Sequence, residues 1–314
     1  MCVDEAHQNF HTIDNRFWAF AELLRCDGFV VRASPGPFSA EALRECRVLI
    51  VANADAPSAS SSARPRFAFD VAEISAVRRW VEGAGALLLI ADHRPYGRAA
   101  APLATAFGVR FTDGFAVDGY SPEARQVLRP GPTLFRTADQ TLRPHVIVTG
   151  RNESESIVSV RTFTGQAFVG PEALQPLLVF PSGFVLLPGR PAELANGVIG
   201  VEIGRWLQGG LMRAGEGRAA FFGEAAMFSA QVAGPNRQPM GMNAPGAEQN
   251  FQFVLNVLNG LTGLLDERLP APAPRAAPAG RRAPTRIHDV VVDGAELVAE
   301  AHHQAVAVAG FQPS

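Results

Sequence analysis

The stretch ALLLIADHRP, residues 86–95, decides how this chain is read. Residues 86–91 are apolar without interruption, and the run stops at once on Asp92, His93, Arg94 and Pro95. A strand that is apolar throughout is buried on both faces, which is the condition of a central strand in a parallel sheet covered by helices.

The neighbouring segments agree with that placement. Upstream, Asp70 opens a helix whose Val71, Ile74, Val77, Trp80 and Val81 are expected to form the buried stripe, with Gly83 and Gly85 ending it. Before it, residues 48–52 (VLIVA) form a second apolar strand that ends at Asn53. Ser39 caps a short helix over residues 40–45, and residues 29–32 read as a strand. Phe17, Phe20, Leu23 and Leu24 recur at helical spacing before an Asp27-Gly28 stop. The chain begins with the end of a strand at residues 1–3 and a polar loop over 7–15. Downstream of Pro95 an Ala-rich helix runs to Gly108. Strand alternating with helix at this rhythm predicts a parallel sheet covered on both faces, with right-handed crossovers.

Beyond Phe111 the pattern changes to a strand-rich insertion after the fourth strand. Residues 146–148, 157–160 and 177–180 read as extended, 196–207 as a helix, 218–223 as a late buried strand and 250–265 as a closing amphipathic helix. Residues 57–66 (PSASSSARPR) form a flexible loop. The predicted organisation is an α/β domain over 1–266, a Pro/Ala/Arg linker over 267–286 and a partly disordered tail over 287–314.

Bulk properties exclude several functions. The net charge of -2 gives no clustered basic face for nucleic acid. All 28 basic residues are Arg, so Schiff-base and P-loop lysine chemistry are absent. There is no apolar run of about 18 residues, hence no membrane span. Cys2, Cys26 and Cys46 have no zinc spacing, and an odd count describes no disulfide framework, so they read as small buried apolar residues. No signal peptide is present, and the chain as it stands reads as cytoplasmic. The first strand is so short that we expect an N-terminal extension, whose targeting signal would make the protein periplasmic or secreted.

Ligands of open parallel sheets sit beyond the carboxyl ends of the strands. Three polar segments follow strands here: Asp4-Glu5-Ala6-His7-Gln8-Asn9-Phe10-His11, Asp92-His93 and Gly223-Glu224. Asp92, His93 and Glu224 are the candidate catalytic residues, with His93 as a base oriented by Asp92 or Glu224. Asp4, Glu5, His7, Asn9 and His11 are candidate ligand contacts, joined by Asn243 from a Gly-, Pro- and Met-rich loop over residues 227–243. His7 and His11, four residues apart, are also candidate ligands for a divalent metal, although no cofactor is required. A structural reading stands beside these: Asp4 and Asp92 as helix caps, and the histidines as partners of loop backbone. Other motifs fail on context. The letters Asp4-Glu5-Ala6-His7 lack a nucleotide-binding loop, the GxGxxA match at 215–220 precedes a strand, and no GxSxG occurs.

The segments DEAHQNFHT (4–12), VLIVANA (48–54), LLLIADHRPYG (87–97) and GEAAMFSAQ (223–231) together resemble the DUF4350-type branch of the class I glutamine amidotransferase-like superfamily. The resemblance implies a flavodoxin-like three-layer sandwich and brings no settled activity. Enzymes of the superfamily place a nucleophilic Cys on the turn after the central strand, with a His and a Glu downstream. That turn here carries Asp92-His93-Arg94, which implies a branch without glutaminase activity. The first expectation is therefore a module that binds a small polar molecule or a partner protein at the strand-end cleft. The second is a hydrolase, metal-assisted or not, that uses the His/Asp/Glu cluster, and a purely structural accessory role is the third.

Overall fold

The computed structural model describes residues 1–56, 67–119, 133–188 and 200–266. The loop expected at 57–66 and the linker and tail expected from 267 onward lie outside the described residues. In chain order the elements are β1 (Cys2–Asp4), α1 (Trp18–Cys26), β2 (Arg32–Ser34), α2 (Ala40–Arg44), β3 (Val48–Ala52), α3 (Val71–Glu82), β4 (Ala86–Ile90) and α4 (Tyr96–Ala106). The insertion then contributes β5 (Arg110–Phe111), β6 (Gly114–Asp118), β7 (Thr133–Arg136), α5 (Val146–Thr149), β8 (Ser159–Thr162), β9 (Phe168–Val169), β10 (Gln175–Val179), β11 (Phe184–Pro188), β12 (Val201–Glu202) and β13 (Leu207–Ala214). The chain returns through β14 (Gly217–Phe222), β15 (Ala230–Ala233), β16 (Gln238–Gly241) and α6 (Asn250–Thr262).

Five strands of the main sheet are mutually parallel in the order β2-β1-β3-β4-β14, and the sheet continues antiparallel through β13, β9 and β5, with β10 also on β13. The mostly parallel centre and the strand-rich insertion are thus as expected. Smaller antiparallel pieces, β12-β11-β6, β7-β8 and the hairpin β15-β16, flank the sheet.

Period-2 alternation divides the apolar strands between two cores. Val48, Ile50, Leu88, Ile90, Ala220 and Phe222 pack with Phe17, Phe20 and Leu24 around α1 and with Val254, Val257 and Leu258 of α6. Leu49, Val51, Leu87, Leu89, Ala219 and Phe221 turn the other way, onto Leu43 of α2, Val77 and Val81 of α3 and Leu103 of α4. Every residue of β3 and β4 is buried. At roughly 2 kcal/mol per buried large aliphatic side chain, these two strands anchor the fold.

Capping follows local chemistry. Ser39 Oγ accepts the Ala42 N–H at the start of α2. Asp70 and Glu73 form a reciprocal capping box on α3. That box changes the expected stripe: Val71 is 80% exposed, while Glu73 is buried in its place.

Several expectations are corrected. Residues 146–148 are not extended: they lie in the short helix α5, which His145 caps by accepting the Ile147 N–H on Nδ1. Residues 200–207 are not helical: they hold β12 and the start of β13, while 196–199 lie outside the described residues. The second strand lies at Arg32–Ser34, later than expected, and the supposed loop over 227–243 contains a 3-10 turn at Ala226–Phe228 and the β15-β16 hairpin. Finally, Cys2 and Cys46 are joined by a disulfide with a Cα–Cα distance of 5.6 Å, and Cys26 alone is free. An odd count of cysteines hid one pair and one exposed thiol. Among the described residues, no helix is long and apolar enough to cross a membrane.

Candidate functional site

The parallel strands β1, β3, β4 and β14 deliver Asp4, Asn53, Asp92 and Glu224 to the same edge of the sheet. Asp92 and Glu224 stand at matching positions, because Ile90 is paired with Phe222 in register and each acidic residue follows two places later. Asn53 knits the edge together in a left-handed conformation (φ +46°) that suits Asn better than most residues. Its N–H donates to Ile90 O (2.9 Å) and its carbonyl accepts the Phe10 N–H (3.0 Å). Its side-chain oxygen accepts the Asp92 N–H at 2.8 Å. Gln166, fully buried, ties the same edge to the insertion. Its Nε2 donates to Ala91 O and Asp92 O, and its Oε1 accepts the N–H groups of Thr112 and Asp113.

A narrow cleft opens above these strand ends, lined by His11, Asn53, Asp92, His93, Tyr96 and Glu224. Phe10 and Phe163 provide aromatic walls, and Gln231 and Met240 reach in from the two strands of the hairpin. Its interior volume is about 20 Å³, room for about one water molecule.

His11 is the unusual member. It is buried, packed against the rings of Phe10 and Phe17, and neither ring nitrogen has a hydrogen-bond partner. Burial, assisted by the positive charge of Arg16, pushes its pKa down to about 3, so the imidazole is neutral at ordinary pH and offers one donor and one acceptor. Arg16 itself lies over the Phe10 ring and donates to Gln231 Oε1.

Glu224 is buried beside Asp92. Burial and the neighbouring Asp92 charge raise its pKa well above the usual carboxyl range, against the pull of two backbone bonds. Those bonds run from Ala226 N–H (2.6 Å) and Met227 N–H (2.9 Å), so Glu224 also caps the 3-10 turn. Asp92 accepts the His93 N–H at 2.8 Å and, more distantly, the Ala225 N–H at 3.4 Å. His93 stacks on Phe115 with ring centroids 4.2 Å apart and shares Nδ1 with Arg94 O. Its Nε2 is 3.9 Å from Asp92 Oδ1, too far for a hydrogen bond that would orient it. Burial, together with Asp92 and Asp55, raises the Tyr96 pKa, so its hydroxyl keeps its proton.

Most of the other predicted residues serve the loop that carries His11; Asn243 serves the hairpin instead. Asp4, at the end of β1, accepts from His7 Nδ1 (2.8 Å), Asn9 Nδ2 (2.9 Å) and the Ala6 N–H (3.2 Å). His7 Nε2 bonds Glu73 Oε1 at 2.9 Å, and the ring lies between Phe38 and Phe69. Burial alone would lower the His7 pKa, but Asp4 and Glu73 outweigh it and leave it raised. Glu5 accepts the Ile13 N–H at 2.7 Å, and Asn243 donates to Gln231 O at 3.1 Å from the hairpin base.

The pairing of His7 with His11 as metal ligands is therefore not the arrangement found. Both His7 nitrogens are committed to carboxylates, and His7 does not line the cleft. Among the described residues, no group of three or more His, Cys, Asp or Glu side chains is placed to hold a metal ion. Sequence reasoning brought His11, Asp92, His93 and Glu224 to one place but missed Asn53, Tyr96, Gln166, Gln231 and Glu73. Of these, Asn53 had the signal of ending the apolar run 48–52, and Glu73 stands three residues after Asp70 in a capping-box pattern.

No protein-family model and no curated protein matches the sequence. Among solved structures, the chain is similar to the mmIFT52 N-terminal domain, with a TM-score of 0.56 and 13% identity over 83% of this chain and 97% of that one. It is also similar to a ThuA-like protein from Bacteroides uniformis, with a TM-score of 0.42 and 14% identity over 83% of this chain and 89% of that one. A ThuA-like protein from Parabacteroides merdae has a TM-score of 0.41 and 12% identity over 87% of this chain and 92% of that one. The first of these likenesses shows a shared α/β fold, and at such identity it shows the fold alone.

Proposed function

We propose that the chain is an amidotransferase-like domain without a nucleophile and that its strand-end cleft binds a small polar ligand. The strand order β2-β1-β3-β4-β14 supports reading the parallel part of the sheet as flavodoxin-like, with ligands at its carboxyl edge. The motifs that resemble the DUF4350-type branch, at 4–12, 48–54, 87–97 and 223–231, all reach that edge. No described thiol lines the cleft: Cys2 and Cys46 are bonded to each other, and Cys26 is exposed at the end of α1. A glutaminase mechanism has no thiolate to use there.

The observation that carries the binding reading is His11. A buried polar ring with two unpartnered nitrogens costs about 1–3 kcal/mol per unsatisfied group, and such groups concentrate where function requires them. A ligand presenting one donor and one acceptor would satisfy both nitrogens, with Asn53, Tyr96 and Gln231 within the same cleft. Entry requires displacement of the β15-β16 hairpin, because the closed volume holds only about one water.

The test is a thermal-unfolding screen of small polar compounds on the wild type and on His11→Phe. A compound present at about 100 times its Kd stabilises the wild type by about 2.7 kcal/mol. The reading requires hits that lose their effect in His11→Phe, and it fails if hits stabilise both proteins equally.

One observation favours a second reading, hydrolysis. Burial and the neighbouring Asp92 charge raise the Glu224 pKa, and the two carboxyl groups stand side by side around a volume suited to one water. For any hit containing a hydrolysable bond, Glu224→Gln would retain binding and lose turnover.

A further inference from the structure

Cys2 opens β1, and Cys46 lies two residues before β3, the neighbour of β1 in the sheet. Parallel pairing of Cys2 with Leu49 brings the start of β1 to this corner, and the Cα–Cα distance of 5.6 Å falls in the range a disulfide spans. Both sulfurs are enclosed, with Cys2 1% and Cys46 8% exposed, in the core that also holds Phe38, Leu43 and Leu49. β1 has only three residues, yet its last residue, Asp4, holds His7 and Asn9, and the segment then continues through Phe10 to His11 in the cleft. Without a covalent tie, β1 itself would be held only by three residues of pairing, and the segment beyond it by the His7–Glu73 and Phe10–Asn53 hydrogen bonds.

We propose that Cys2–Cys46 is an oxidative-maturation site. A thiol–disulfide exchange partner forms the bond as the chain folds, and the bond then locks β1 and the segment reaching His11 against the sheet. The exchange balances. The thiolate of one cysteine attacks the partner's disulfide and expels one partner thiolate, and the second cysteine attacks the mixed disulfide and expels the other. The chain loses two electrons and two protons, and the partner's disulfide becomes a dithiol. A protein-borne disulfide or glutathione disulfide, as found in an oxidising compartment, meets this need. Once closed, the bond lies where an attacking thiolate has no access, so it acts as a structural lock. This inference is independent of what the cleft binds.

The test uses the full chain, refolded with oxidised glutathione, unfolded without reductant and alkylated. The expected intact mass carries one alkyl group, at Cys26, rising to three after reduction, and a peptide map links Cys2 to Cys46. Three alkylations without reductant, or a linked peptide containing Cys26, overturns the proposal. For the lock, Cys46→Ser is expected to unfold roughly 10 °C lower and to be insensitive to reductant, while Cys26→Ser matches the wild type. Where Cys46→Ser does not fold, reduction of unfolded wild type before refolding supplies the same comparison. Amide exchange at Phe10, whose N–H is bonded to Asn53 O, is expected to accelerate at least tenfold on loss of the disulfide. Unchanged exchange at Phe10 contradicts the lock.

Discussion

Replacing Glu73 by Gln removes one negative charge from the cluster that holds the N-terminal segment. In the native protein Glu73 Oε1 accepts from His7 Nε2 (2.9 Å) and from the Phe38 N–H (3.0 Å), while Oε2 accepts the Asp70 N–H (3.0 Å). His7 also bonds Asp4 Oδ1 through Nδ1, so its ring lies between two buried carboxylates that favour the charged form and raise its pKa. The substituted amide keeps an oxygen for His7 and Phe38, but its NH2 then faces the Asp70 N–H. A charged hydrogen bond contributes about 1.5–3 kcal/mol and an unsatisfied donor costs about 1–3, so the expected loss is about 3 kcal/mol at about pH 6. The sign of the pH dependence is fixed by the raised His7 pKa, in which Asp4 and Glu73 outweigh burial. A raised basic group contributes fully below its unfolded pKa of about 6.5, and the contribution disappears as pH rises through the folded value. Urea unfolding of both proteins from about pH 6 to about pH 9 should show the gap shrinking with pH. A loss below about 1 kcal/mol at the acid end, or a gap that widens with pH, would refute the imidazolium clamp.

Three other perturbations probe separate parts of the structure. His11→Phe should raise the stability of the unliganded protein by about 1 kcal/mol, measured by urea unfolding, because it removes an unpaired buried group. Gly165→Ala should cost about 3 kcal/mol in the same assay, since Gly165 has φ +110° and a Cβ there would collide with Gly223 O, at the base of the cleft. Breaking Cys2–Cys46 should cost about 4 kcal/mol, the chain entropy of a loop closed across 44 residues, read from guanidinium unfolding with and without prior reduction.

The parts of this protein that were legible in its sequence are those with local causes. Residues 86–91 announce a central strand because burial on both faces leaves no polar residue in it, and the hard stop at Asp92 marks where the strand meets the cleft. Glu224 follows β14 for the same reason. What escaped depends on distant partners. Nothing near His7 foretells Glu73, 66 residues away, or the two aromatic rings around it. The disulfide depends on β1 lying beside β3, which three cysteines in a sequence do not reveal. The β-branched run at 146–149 favours a strand locally, yet packing of Ile147 and Val148 in the α1–α6 core and the His145 cap impose a helical turn. The hairpin over the cleft was disguised by short strands, four residues each, around a Gly234–Arg237 turn rich in loop formers.

The central claim is that the strand-end cleft, with His11 at its base, is a binding site. Crystals of the protein soaked with a set of small neutral polar fragments test it most directly. Fragment density is predicted within hydrogen-bonding distance of a His11 ring nitrogen, with Gln231 and Met240 displaced outward on the hairpin. A cleft that stays closed throughout, with one ordered water satisfying His11 and every fragment bound elsewhere, would contradict it.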